Sequence, residues 1–392
     1  MRIRLFSSTF LWIDHDRCVL YNTEQNTSLV YPLCPEIRDL CNQWQIIENL
    51  YVAKKNGDQR TRAENFFFKE IETRNLGVLE DDLTNNISFP PLLKIDHSIE
   101  SINRFELNAK HTDVLGYLMS LKVFLGGNAE NSGLSRQVMY PMSSKIRLDD
   151  SRLLSFINKC DKLTLFHIDL VISEWNRDHI FQFASRLNGI KERIRFYFAH
   201  PDPGFNNEII DYLVNEGYAL TQVCLHNADQ ETASHITKNR NYLLLVRDEE
   251  DVNFWEASFG EKSVAHYELK PVADNNLAFF QKDVFLSEED ILSQKLSKKD
   301  IFRHQALNVN QFGTLYVFPD GTIHPAPDAP VIGTLEDSVH QTIIRELEEN
   351  HAWRQTRDLM TPCKNCLYRY LCPSPSVYER IFGVPGCTYW KE

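Results

Sequence analysis

Four of the chain's nine cysteines fall in its last thirty residues: Cys363, Cys366, Cys372 and Cys387. The spacing is Cys-x2-Cys-x5-Cys with one cysteine further on. Two thiolates three positions apart can hold one metal ion from a tight turn, and two more from a second segment close the site. Four soft thiolates suit zinc or an iron–sulfur cluster. The plainer readings are a zinc knob that pins the tail, or unligated thiols. The other five, Cys18, Cys34, Cys41, Cys160 and Cys224, are scattered. In a reducing compartment a crowd of four points to a metal site rather than to disulfides.

Other residues with chemical potential are weaker. Among thirteen histidines, His97, His111, His167, His200 and His226 lie in or near strand-like runs. Asp96-His97 and His200-Pro201-Asp202 sit near strand ends, where barrel active sites occur. His167 and Asp169, two apart in an apolar run, would share one face of a strand. No Gly-x-Ser-x-Gly, phosphate loop or His-Glu-x-x-His is present. The acidic run Asp248-Glu249-Glu250-Asp251 reads as a solvated loop.

Composition narrows the partners. A net charge of −12 argues against nucleic acid, which calls for clustered Lys and Arg. It leaves peptides, proteins and small molecules. No run reaches the ~18 apolar residues of a membrane span. The apolar stretch 5–13 is interrupted by Ser7, Ser8 and Thr9, so it reads as a strand rather than a signal peptide. The expected location is cytoplasmic, without a membrane partner.

Three regions must position these residues. Region 1–82 opens with strand-like runs 10–13, 18–21 and 28–31, separated by turn-forming polar residues. Helices are expected from Pro35 towards Trp44, over 46–53, and after the capping-box pair Thr61 and Glu64, with Phe67 and Ile71 on one face and a stop at Gly77. This is a small α+β module. Region 83–300 alternates strands, at 92–95, 118–125, 163–171, 194–199, 220–225 and 242–246, with helices at 179–187 and 207–215. Five or six such strands imply an α/β fold with a mostly parallel sheet, open as a partial (β/α) barrel. Region 301–392 opens with a hairpin around Pro319-Asp320-Gly321, continues with a helix over 335–350 carrying Ile344 and Leu347 on one face, and ends in the cysteines.

The C-terminal stretch TPCKNCLYRYLCPSPSVYERIFGVPGC, with the preceding YVFPDGTIHPAPDAPVIGTLED, resembles a SPASM domain. The family accompanies radical-SAM peptide maturases and usually holds two auxiliary 4Fe–4S clusters. The resemblance implies that Cys363, Cys366, Cys372 and Cys387 retain one 4Fe–4S cluster, with zinc as the alternative. The fourth cysteine of the family's run is here Ser376, and a further expected cysteine falls near Ala326, so the other cluster is lost. The radical site's Cys-x3-Cys-x2-Cys occurs nowhere, and no cysteine lies between Cys41 and Cys160. Gly126-Gly127-Asn128 is the nearest approach to a methionine-gripping glycine stretch and reads as a turn.

The whole is similar to the pseudo-radical-SAM/SPASM proteins of GG-Bacteroidales-type ribosomal peptide maturation systems. That similarity implies no S-adenosylmethionine cofactor, no catalytic residues, and a pseudoenzyme scaffold that binds a precursor leader peptide, a true radical-SAM maturase, or both. Residues 1–82 resemble the peptide-recognition element of such maturases, with 83–300 a degenerate radical-SAM-like barrel and 301–392 the SPASM-like domain. An open sheet edge binds a leader by adding a strand. The expected edge is Ser28, Leu29, Val30 and Tyr31, with Phe66, and its neighbours Phe67 and Phe68, lining the groove. Two alternatives stand beside it: an unrelated enzyme in the vacated barrel, whose mouth would then be polar and open, and a structural zinc protein that bridges partners.

Overall fold

The computed structural model describes residues 2–54, 61–80, 88–91, 114–128, 133–160, 163–172, 177–199, 207–224, 240–260 and 266–389. The strand expected at 92–95 and the residues Asp96, His97, His111, His200, Pro201, Asp202 and His226 lie outside them.

The N-terminal strands are β1 (Arg2–Leu5), β2 (Thr9–Ile13), β3 (Arg17–Asn22), β4 (Thr27–Pro32), β5 (Val52–Lys54) and β6 (Gly77–Glu80), with helices α1 (Pro35–Gln45) and α2 (Arg62–Thr73). β2, β3 and β4 form the expected antiparallel meander. Its turns are closed by side chains: Asp14 Oδ1 accepts from the amides of Asp16 and Arg17 at 2.8 and 2.7 Å, and Asn22 Oδ1 accepts from Glu24 and Gln25. The capping box forms, with Glu64 N donating to Thr61 Oγ1 (3.2 Å) and Thr61 N to Glu64 Oε2 (2.7 Å).

Two expectations here need correction. Over 46–53 only a single 3-10 turn, Ile47–Asn49, is helical; Leu50 and Tyr51 then take positive φ of 51° and 62°, and the chain leaves as β5. Tertiary structure overrides local preference, because Tyr51 is buried with its hydroxyl donating to Thr9 O at 2.5 Å. Gly77 does not end a helix. It starts β6, where a Cβ would stand 2.5 Å from Arg4 O, so only glycine allows β6 to lie against β1. β5 and β6 flank β1 in a second antiparallel sheet.

The meander is apolar on both faces. Cys18, Leu20 and Leu29 pack on Ile37, Leu40, Trp44, Phe67 and Ile71. Phe10, Val19 and Tyr21 face the other way, onto Ile291, Ile301, Leu367, Tyr368, Leu371 and Cys372. The N-terminal module is thus seated on the cysteine-bearing segment.

The remaining strands are β7 (Ser120–Phe124), β8 (Gly127–Asn128), β9 (Ser143–Ser144), β10 (His167–Ile172), β11 (Ile194–Ala199), β12 (Ala219–Cys224), β13 (Asn241–Val246), β14 (His266–Pro271), β15 (Thr314–Val317), β16 (Thr322–His324) and β17 (Gly333–Thr334). The helices are α3 (Asp150–Lys159), α4 (Arg177–Arg186), α5 (Asn207–Asn215), α6 (Glu249–Gly260), α7 (Glu288–Ser293), α8 (Lys298–Ala306), α9 (Val339–Glu349) and α10 (Val377–Phe382). One nine-stranded sheet runs β14-β13-β12-β11-β10-β7-β15-β16-β17. Its first seven strands are parallel, six of them from region 83–300, where five or six were expected. β14 escapes a pattern reading because its sequence, HYELKP, is polar and half-exposed. β15 is added from the hairpin of the last region, which extends this sheet and, with Ile343 and Trp353, shares its core.

Alternate side chains of the parallel strands point to opposite faces. Leu121, Val123, Ile168, Leu170, Ile194, Phe196 and Leu220 face the helices, where Phe156, Ile180, Phe183 and Leu213 cover them. Lys122, Arg195, Tyr197, Glu268 and Lys270 face the other way. Lys122 on β7 and Lys270 on β14 line one cavity although four strands separate theirs, so the sheet is curled. The run Asp248–Asp251 is not a loop: Asp248 Oδ1 accepts from Asp251 N at 2.9 Å and the acids open α6, where carboxylates oppose the helix dipole favourably.

Candidate functional site

The four C-terminal cysteines are gathered by short backbone turns. Cys363 and Cys366 share one, with Cys366 N donating to Cys363 O at 2.9 Å, and Cys372 N donates to Tyr368 O at 2.9 Å. Cys387 returns from a distant loop by pairing alongside Leu286. Burial pushes the Cys372 thiol up to about 12; Arg357 opposes the shift, and Cys387, Cys366 and Cys363 add to it. Burial also raises Cys363 and Cys366. Each buried thiol therefore sits within electrostatic reach of the others, and a metal cation would favour their thiolate forms. The donor set fits thiolate ligation in kind. Among the described residues, however, no three His, Cys, Asp or Glu side chains are disposed to hold one ion.

What gathers the four cysteines is a buried ion pair that sequence reading missed. Arg357 Nη1 donates to Glu379 Oε1 at 2.9 Å and to Cys363 Sγ at 3.3 Å, and its Nε donates to Pro373 O at 2.6 Å. Glu379 in turn accepts from Gly386 N, beside Cys387, at 2.8 Å and from Ser376 N at 2.7 Å. Burial works against the guanidinium, yet the Cys372 and Cys363 thiols and the Glu379 carboxylate hold its pKa above the usual arginine value. One charge pair thus ties the loop of Cys363 to that of Cys387. A Cβ on Gly386 would lie 3.0 Å from the Glu379 carboxyl carbon, so glycine permits this approach. Ser376, where the family pattern has cysteine, is the N-cap of α10, and Ala326 is buried in the apolar core. Only the Ser376-x-x-Glu379 spacing signals any of this in the sequence.

Among the described residues β4, the strand of the expected peptide edge, pairs only with β3. Leu33 N donates to Asp16 O, so Tyr31, Leu29 and Thr27 direct their backbone groups at β3, while Ser28, Val30 and Pro32 direct theirs outward. The open stretch is short. Arg74 Nη1 donates to Ser28 O at 2.7 Å, and Pro32 has no N–H. The amide and carbonyl of Val30 are its centre. Phe66 is 55% exposed and stacks on Tyr31 at 6.1 Å, whereas Phe67 and Phe68 are core. Beyond Ser28 a groove opens towards Glu288, Glu289 and Leu292 of α7.

Among the described residues, the segment 134–142 covers the C-terminal ends of the parallel strands with apolar side chains. Val138, Tyr140 and Leu134 pack on Ala199, Val223, Leu243, Leu245 and Val272. Met139 and Met142 pack on Phe124, Val171, Tyr197 and Tyr316. Gln137 fastens this covering segment across the sheet, with Nε2 donating to Ala273 O and Oε1 accepting from Ala273 N at 3.0 and 2.6 Å. His167 and Asp169 both lie in β10, two apart as expected. His167 is exposed at the start of β10, and Asp169 is buried against Arg195 in a bidentate contact of 2.6 and 3.0 Å. Gly126 has φ +121°, and Gly127–Asn128 form the short β8.

No protein-family model matches the chain and no curated protein matches it. Nine chains of solved structures align with it, including two with bound AdoMet. One is native anSMEcpe with bound AdoMet, 12% identical, covering 65% of this chain and 88% of that one with a TM-score of 0.41. The other is native anSMEcpe with bound AdoMet and Cp18Cys peptide, at 12% identity, 65% and 87% coverage and a TM-score of 0.42. Among the described residues no helix is long and apolar enough to cross a membrane.

Proposed function

We propose that the chain is a non-catalytic scaffold of radical-SAM/SPASM descent that binds a precursor leader peptide and partners a true radical-SAM maturase, as in GG-Bacteroidales-type systems. The carrying observation is the closed strand end. Where a barrel enzyme keeps an open, polar pocket, apolar side chains from residues 134–142 cover the C-terminal half of the concave face, and no Cys-x3-Cys-x2-Cys exists to hold a cluster there. The same packing argues against an unrelated activity at those strand ends.

Leader binding rests on the exposed Val30 edge and the Phe66–Tyr31 stack. Strand addition there would pair two or three peptide residues and place an apolar side chain on Phe66. Cys363, Cys366, Cys372 and Cys387 would hold the metal group, with Arg357 and Glu379 fixing their loops. An iron–sulfur cluster would supply an electron relay, and zinc a structural tie that bridges segments. The chain's own residues hold the N-terminal module against this corner through Phe10, Val19 and Tyr21.

A display selection of random peptides on the full chain tests the reading. Selected peptides should bind wild type and lose at least about tenfold in affinity to Val30→Pro, which removes the central outward amide, and to Phe66→Ala. Peptides bound equally by both variants would refute the β4 edge as reader.

A further inference from the structure

Below the closed strand ends, the other half of the concave face is open and polar. A cavity of about 760 Å³ lies there, within the size range of small-molecule sites. Its walls carry Lys122 on β7, Arg195 on β11, Glu268 and Lys270 on β14, with Tyr316 beside Lys122 on β15, Tyr378 from α10 and the exposed Arg136. Arg195 is spent on Asp169, whose two oxygens it grips. The lysines are not spent. Among the described residues neither Lys122 nor Lys270 has a carboxylate within ion-pair distance, and Glu268 has no cation within it. Each ammonium instead lies near a ring face, Lys122 at 5.4 Å from Tyr316 and Lys270 at 5.9 Å from Tyr378. Burial lowers the Lys270 pKa, and Lys122 adds to this across the cavity while Glu268 opposes it. Asp169 acts on Lys122 and Glu268 on Lys270, but neither carboxylate pairs with its lysine, and an anion seated between the two ammoniums offsets their mutual repulsion.

We propose that this cavity binds a small organic anion of carboxylate or phosphate chemistry between Lys122 and Lys270, with Glu268 accepting from a hydroxyl of the same ligand. The unpaired carboxylate on the same wall is what narrows the class to hydroxylated anions. A purely anionic ligand would leave Glu268 facing like charge without a hydrogen bond.

Calorimetric titration of the full chain at low salt tests this with citrate, with tricarballylate (the same tricarboxylate lacking the hydroxyl) and with glycerol 3-phosphate. Citrate or glycerol 3-phosphate should bind saturably, and the tighter of the two reports which headgroup the site prefers. Tricarballylate should bind more weakly than citrate. Lys122→Met and Lys270→Met, which keep the aliphatic stems, should each weaken binding about tenfold or more, and Lys299→Met on the outer surface should not. Because Lys122 is a core strand position, wild type carries a second test. The bound anion should protect Lys122 and Lys270, but not Lys299, from acetylation by acetic anhydride, read by mass spectrometry. Saturable binding of neither anion, or binding without protection of either lysine, would overturn the proposal.

Discussion

The two halves of the concave sheet face are built from the same strands and differ in what covers them. At the C-terminal ends, Phe124, Val171, Val223 and Leu245 meet Val138, Met139 and Tyr140 from a single crossing segment. Two residues earlier on neighbouring strands, the same face presents Lys122, Asp169, Arg195 and Glu268. The pleat fixes which residues share the face, but a loop fastened by Gln137 decides which half is dry. A curled, mostly parallel sheet can therefore cover one end of its concave face and keep a polar cavity at the other, on the same strands.

The comparison breaks in a graded way. The largest effect belongs to the cysteine corner, which shares the polar half's reliance on buried charge. Glu379→Ala strands Arg357 beside the cysteine loops and should cost about 3–5 kcal/mol in urea denaturation. At the closed end, Leu245→Ala, from a fully buried position, should cost about 2–5 kcal/mol through its cavity. In the polar half, Lys122→Met should change stability by less than about 1 kcal/mol, because the nearest carboxylate, Asp169, keeps its bidentate contact with Arg195. A loss as large as that of Leu245→Ala would erase the distinction between the halves.

The smallest effect is a pH slope. Burial and Lys122 hold the folded-state pKa of Lys270 below its unfolded value, so between those two values the unfolded chain binds more protons. This contribution makes the fold more stable as pH rises through that window, and it ends at about pH 10.4, where the unfolded lysine also deprotonates. The stability difference between wild type and Lys270→Met should shift in favour of wild type with rising pH below that point, and saturating citrate should reduce the slope.

The strands at 194–199 and the helix at 207–215 stand where apolar periodicity puts them, because a buried parallel sheet enforces that pattern. β14 was illegible, since half-exposed HYELKP has no such pattern. α7 and α8 were missed although Ser287 and Asp290, and Ser297 and Asp300, have capping-box spacing; both boxes form. Tyr51 and Gly77 show the limit in the other direction, because their conformations answer to β1 and Thr9 rather than to neighbours in sequence. At the candidate site, the four cysteines could be read from spacing alone. The Arg357–Glu379 pair could not, since 22 residues separate the partners and only packing brings them together. Nor could the closed strand end, because the apolar residues of 134–142 follow neither a helical nor a strand period.

The most direct test of the central claim is incubation of the full chain, purified without oxygen and fully reduced, with S-adenosylmethionine, followed by chromatography for 5′-deoxyadenosine. The closed strand ends and the missing cysteine triad predict no product above a protein-free control. Product accumulating in proportion to protein, and lost on Cys366→Ala, would mean that the chain makes radicals and would contradict the scaffold role.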